Sequence, residues 1–234
     1  MLSPNLIKDF LFLLGGVNRT LIVTATCFTS AFVIGLTVAI LRRLPFALLR
    51  WVLNTYVFIF QSIPVLIMVF LMYFGLPESG FDISPLFALN ISLGMISGSY
   101  LAEVFRGAFQ SVNPHEIAAA KTAGMNDLQV VLYVELPQAL RFSLPGIGNE
   151  FSTVLKASPF AYIIGVPELT KQAMSLSAIT MDSLSVYASS AAIYFLIYKF
   201  FKCVTNAIER KFTMSTDGVT GKLRSEPTGF TRVC

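Results

Sequence analysis

Six polar side chains sit inside otherwise oily runs of this sequence: Gln61, Ser62, Ser97, Glu150, Lys156 and Ser158. Polar groups at membrane depth are costly, so they belong on helix faces turned toward a neighbouring helix or a water-filled cavity. An amide, three hydroxyls, a carboxylate and an ammonium can bind and pass a small polar solute. Glu150 would attract a cationic group and Lys156 a carboxylate, unless the two pair with each other. They do not make a bond-breaking cluster. The one histidine, His115, has no cysteine or acidic cluster at ligand spacing around it. Neither a metal site nor a catalytic triad can be assembled from it. Cys27, Cys203 and Cys234 show no metal or disulfide pattern and read as apolar filler. Gly221-Lys222 is the nearest approach to a phosphate loop. Thr216 stands where that loop needs glycine and Leu223 where it needs Ser or Thr. The chain is therefore read as binding no cofactor of its own.

The elements that must position these residues are membrane helices. Of 234 residues, 55% are hydrophobic and 13% charged, and the mean hydropathy is +0.70. A soluble domain carries about 25% charged residues. The net charge of +4 is modest, and no basic cluster with interleaved aromatics points to nucleic acid. Residues 1–18 hold an apolar patch, Phe10 to Leu14, ending at Gly15-Gly16. It is too short to span and reads as an outer, interfacial segment. Uncharged runs then predict spans at about Thr20–Leu41 and Trp51–Gly75, the second kinked by Pro64. A third follows at about Pro85–Gly107, with small residues Gly94, Ser97, Gly98 and Ser99 for close packing and a Glu103–Arg106 pair at its end. A fourth, about Ile147–Val166, carries Glu150 and Lys156 and scores poorly on hydropathy. It is counted because an even number of crossings breaks the charge asymmetry below. Lys156 on it is expected to face the interior. Pro167–Asp182 reads as a loop, Leu184–Val204 as the fifth span, and residues 211–234 as a polar, mobile cytoplasmic tail. The fold class is all-α integral membrane with about five transmembrane helices. With the N-terminus outside, thirteen Lys and Arg fall on the cytoplasmic side and three outside.

The stretch Asn113 to Leu144, NPHEIAAAKTAGMNDLQVVLYVELPQALRFSL, differs from the oily chain around it. Asn113-Pro114 predicts an N-cap and first helical position. Ala118, Ala119 and Ala120 favour helix with little bulk, and Gly124 stops it. Asn126 and Gln129 have capping-box spacing. Leu128, Val131, Leu132 and Leu136 would form an apolar stripe, ended by Pro137.

Ala118-Ala119-Ala120, Gly124 and Leu136-Pro137 together resemble the cytoplasmic signature loop of permease subunits of ABC importers. In that family the pattern runs Glu-Ala-Ala, three residues, Gly, about a dozen residues, Leu-Pro. The flanking text GSYLAEVFRGAFQSV, PQALRFSLPGIGNEF and VLKASPFAYIIGVPELTKQA is similar to the branch that imports polar amino acids. The likeness runs from about Leu13 to Arg210. It departs at Ala118, where the family has an acid and the nearest acid here is Glu116. It departs again at Gln61-Ser62-Ile63-Pro64, where relatives have Arg-Gly-Thr-Pro.

The resemblance implies a transmembrane permease domain of residues 19–210, in the type I importer fold, with a coupling loop at about 113–144. It implies a multi-pass protein of the bacterial inner membrane and a transport subunit rather than an enzyme. ATP and Mg would be bound on separate ABC ATPase subunits, two per complex, that dock on Glu116, Ala118, Ala119, Ala120, Gly124, Leu136 and Pro137. A second permease subunit, identical or homologous, would face this one in the bilayer, and an extracytoplasmic substrate-binding protein would deliver a polar amino acid or similar solute. The competing reading is a self-sufficient ion-coupled carrier or channel, with Gln61, Glu150 and Lys156 as its coupling site.

Overall fold

The computed structural model describes residues 6–213, with side chains from residue 10 to 211. The elements are α1 (Leu6–Leu41), α2 (Ala47–Ser62), α3 (Val65–Phe70), a π-helical segment (Leu71–Gly75), α4 (Leu76–Glu78), α5 (Pro85–Gln110) and α6 (Pro114–Thr122). There follow α7 (Asp127–Gln129), a second π segment (Val130–Glu135), α8 (Leu136–Ala157), a 3-10 turn (Ser158–Tyr162), α9 (Leu169–Thr180) and α10 (Ser183–Thr213). No strand occurs among the described residues.

Three of these helices, α1, α5 and α10, are long and apolar enough to cross a membrane, and α2 with α3–α4 makes a fourth, bent by 104° at the break. Helix α8 has the length to cross, 22 residues. Its polar residues keep it off a hydropathy count, and it packs against α5 and α10. Helix α5 is the centre of the bundle, in contact with α1, α2, α3 and α8. Lipid offers no hydrophobic drive between helices, so close van der Waals contact does that work. A Cβ on Gly98 would lie 2.9 Å from Ile34 Cγ2 of α1. Edge-on aromatic pairs fill the next layers, with Phe32–Phe105 at 5.5 Å and Phe28–Phe151 at 5.1 Å between centroids.

Four sequence expectations change. The apolar patch ending at Gly15-Gly16 is not a separate short segment, because α1 runs unbroken from Leu6 to Leu41. The glycine is there for space: a Cβ on Gly16 would lie 2.7 Å from Leu169 Cα. Pro64 does more than kink the second span. Ile63 and Pro64 are both extended, and the helix stops and restarts. A residue before proline avoids the helical region. Pro137 does not end its helix. Leu136 N–H reaches back to Val131 O, a π-type bond, and the wider turn spares the clash of a proline ring with the carbonyl four residues earlier. The π segment Leu71–Gly75 stands in the same place before Leu76-Pro77. Lastly, the loop at Pro167–Asp182 contains α9. Helix α10 runs to Thr213, and the tail beyond it lies outside the described residues.

Helix α9 begins with every early amide answered. Leu169 N–H donates to Thr20 Oγ1 (3.1 Å), and the Glu168 carboxylate accepts from Thr170 N–H (2.8 Å) and Lys171 N–H (2.9 Å). Tyr194 Oη–H of α10 also donates to Glu168, at 2.8 Å. Glu168 is fully buried. Removing it orphans buried donors, which costs about 2 kcal/mol. Glu168→Ala is expected to lower the melting temperature of the detergent-purified protein by about 4–8 °C. Glu168→Gln, which keeps an acceptor, should lose clearly less.

Candidate functional site

Helix α6 is closed at both ends by local sequence. Asn113 Oδ1 accepts from His115 N–H (3.0 Å) at the start. At the end, Gly124 N–H donates to Lys121 O (3.0 Å) and Met125 N–H to Ala120 O (3.2 Å), the paired bonds of a Schellman motif. That motif needs a left-handed residue, and Gly124 has φ +87°. Asn126 and Gln129 then cap α7 reciprocally, both bonds at 2.9 Å. The result is a rigid helical corner with Ala118 and Ala119 exposed and Ala120 packed inward. Lys121 Nζ lies 2.9 Å from Asp127 Oδ1 across the corner and holds that carboxyl below its usual range. Glu116 accepts a short hydrogen bond from Gln138 Nε2, so it braces α6 against α8.

The expected apolar stripe is rotated. Leu128 and Leu132 are exposed, and the buried positions run Val131, Glu135, Ala139, Ser143. The π segment adds a residue per turn and turns the face. Leu136 is half-buried and Pro137 exposed. Sequence reasoning did not single out Glu135, whose buried carboxylate receives a two-pronged hydrogen bond from Arg43 at the end of α1, Nε to Oε2 at 2.8 Å. The loop is thereby tied to the bundle through one charge pair. The signal was a lone acid inside the VVLYVELP run.

The second part of the site is a cleft of 570 Å³ beside the α2–α3 break. It gathers Gln61, Ser62, Ser97 and Glu150, four of the six polar residues singled out above. Glu150 is 7% exposed, and its Oε1 makes no hydrogen bond within the chain. Gln61 Nε2 donates to Ser99 O (3.3 Å), and Ser62 Oγ–H to Phe58 O (2.7 Å). The cleft also takes in Tyr100, Asn149 and Thr153, which sequence reasoning passed over. Asn149, Thr153 and Ala157 are spaced by four, so one face of α8 was legible there. Lys156, seven positions after Asn149, shares that side of α8, but it does not line the cleft; it is exposed where an interior position was expected, and it does not pair with Glu150. Six residues along a helix turn two side chains well apart. Ser158 is buried and bonds Leu155 O at 2.9 Å, outside the cleft.

A family model described as binding-protein-dependent transport system inner membrane component matches residues 31–214. The chain belongs to this family. It is 32% identical over 206 residues to YckA, a probable amino-acid ABC transporter permease of Bacillus subtilis, covering 88% of this chain and 91% of the relative. It is 28% identical over 201 residues to GlnP, a glutamine transport system permease of Escherichia coli, covering 85% and 92%. Among solved structures, a crystal structure of an amino acid ABC transporter with histidines superposes with a TM-score of 0.80 at 31% identity, over 88% of this chain and 96% of that one. The inward-facing MetNI methionine transporter, at 22% identity and TM-score 0.75, shares the fold. The protein is thus a multi-pass inner-membrane permease of the ABC importer type. The carrier alternative gains nothing, because Lys156 does not join Gln61 and Glu150 in the cleft.

Arg43 is the permease's link between loop and bundle. Breaking a fully buried pair costs about 3–5 kcal/mol. The Arg43 side chain is 36% exposed, so water screens part of that. Arg43→Ala should cost about 2–3 kcal/mol in thermal unfolding, and adding Glu135→Leu, which removes the stranded charge, should restore part of it.

Proposed function

We propose that this permease forms one half of the pathway for a polar amino acid or a similar small solute, driven by a separate ATPase that docks on α6. The observation that carries this reading is the capped helical corner of exposed small residues, tied to the bundle through Glu135 and Arg43. Small side chains at Ala118 and Ala119 allow close approach, and the rigid caps transmit a push rather than absorb it. ATP is bound with Mg and hydrolysed on the ATPase subunits, two per complex. A second permease subunit, identical or homologous, completes the pathway, and an extracytoplasmic binding protein supplies solute. The N-terminus lies outside and the C-terminus in the cytoplasm, as the excess of basic residues on the α6 side favours.

In proteoliposomes holding the permease with its co-purifying ATPase, hydrolysis should rise when loaded binding protein is added. Gly124→Val forces a branched residue into a left-handed conformation. It should leave membrane insertion intact and abolish stimulated hydrolysis and uptake. Uptake by the permease alone, without ATP, would sink the reading.

The cleft supports an amino-bearing solute, since the unpartnered Glu150 Oε1 is an acceptor for an ammonium. Loss of a charged hydrogen bond is worth about tenfold or more in affinity. Glu150→Gln should raise the half-saturating concentration of transported amino acid by that factor, with maximal ATP hydrolysis little changed.

A further inference from the structure

Four arginines meet at one end of the bundle, and only part of their charge is answered. Arg42, Arg43, Arg50 and Arg106 line a cavity of 340 Å³ together with the neutral Asn54 and Gln110. The cavity lies where α1 ends, α2 begins and α5 ends, at the same end of the molecule as α6. Glu103 binds both Arg42 and Arg106, each at 2.6 Å, and Glu135 binds Arg43. Two carboxylates therefore face four guanidiniums, and two positive charges remain. Arg42 is the most confined, with a side chain only 7% exposed. Its terminal nitrogens are used by Glu103 and Leu53 O, but its Nε is buried without a hydrogen bond. Arg50 reaches only Leu44 O, at 3.4 Å. A buried, unanswered guanidinium N–H is costly and calls for an anionic acceptor.

The exposed residues next to Arg50 in the chain say where that anion comes from. Phe46, Leu48 and Trp51, on the approach to α2 and its first turns, are all exposed. Exposed aromatic and aliphatic residues near arginines are the composition of a membrane–water boundary, and basic cavities between helices at that depth suit lipid head groups. We propose that this cavity holds the phosphate of an anionic phospholipid in the leaflet on the α6 side, with its acyl chains extending into the bilayer. The inference rests on the chain's crossing a membrane with this end at the interface. It does not rest on the substrate or on the ATPase docking described above. It also has a consequence for coupling. Arg43 faces the cavity and grips Glu135, so the head group sits one side chain away from the joint between loop and bundle.

The test uses the full chain with its co-purifying subunits, stripped of lipid in detergent. Phosphatidylglycerol, phosphatidylcholine and inorganic phosphate are added separately, and binding is read by thermal shift and native mass spectrometry. Phosphatidylglycerol should raise the melting temperature and remain bound, while phosphatidylcholine should not. Each arginine near the surface is worth about fivefold in affinity, so Arg50→Gln with Arg106→Gln should weaken phosphatidylglycerol binding about 25-fold. Arg50→Lys, which keeps the charge, should retain most of it. Equal binding of the two lipids, or wild-type affinity in the double variant, overturns the proposal. Protection by inorganic phosphate that displaces the lipid overturns it too, and assigns the cavity to a soluble anion. The comparison of lipids on the unmutated protein decides the matter even where the double variant fails to fold.

Discussion

Every break in these helices has to be repaired inside the chain, because hydrocarbon supplies no hydrogen bonds. The structure meets this constraint in three ways. Where proline enters a helix behind leucine, at Leu76-Pro77 and Leu136-Pro137, the preceding turn widens into a π segment and the helix continues. Where proline breaks the chain, at Pro64, a side chain of α5 comes to the freed backbone: Tyr100 Oη–H donates to Gln61 O (3.5 Å). Where a short helix starts within the fold, at Leu169, Thr20 and Glu168 take its first amides. The cleft beside Pro64 is a product of the same constraint. A break that must be covered by polar neighbours is also a place where a polar solute can be met.

The charged residues solve a different problem, which is joining the cytoplasmic-signature segment to the packed bundle. Arg42, Arg43, Glu103, Arg106 and Glu135 connect the ends of α1, α5 and the coupling segment through a few short bonds. Apolar packing could hold these elements together, but it would not fix their register as sharply. A two-pronged guanidinium–carboxylate bond is directional. The excess of positive charge lines a cavity of 340 Å³ among Arg42, Arg43, Arg50 and Arg106.

Much of the α6–α7 corner was legible in the sequence because it is local. Asn113, Pro114, Gly124, Asn126 and Gln129 act through bonds to residues two to five positions away, and their types at those spacings announce them. The cleft was partly legible. Gln61, Ser62, Ser97 and Glu150 were visible as polar groups in oily runs, while Lys156, chosen on the same ground, does not line the cleft. Polarity at depth says that a residue needs a partner or an aqueous surface, but not which side of its helix supplies one. Glu135 was hidden because its meaning comes from Arg43, ninety-two positions away.

By itself the sequence determined the membrane class, the apolar helices and the caps of the coupling corner, since these follow from composition and from bonds that close within a few residues. Only the tertiary structure decided that Gly16 makes room rather than closes a short segment, that Pro64 breaks where Pro137 does not, and which polar residues share a cleft. Each of those outcomes depends on what another helix places opposite, and no local pattern carries that.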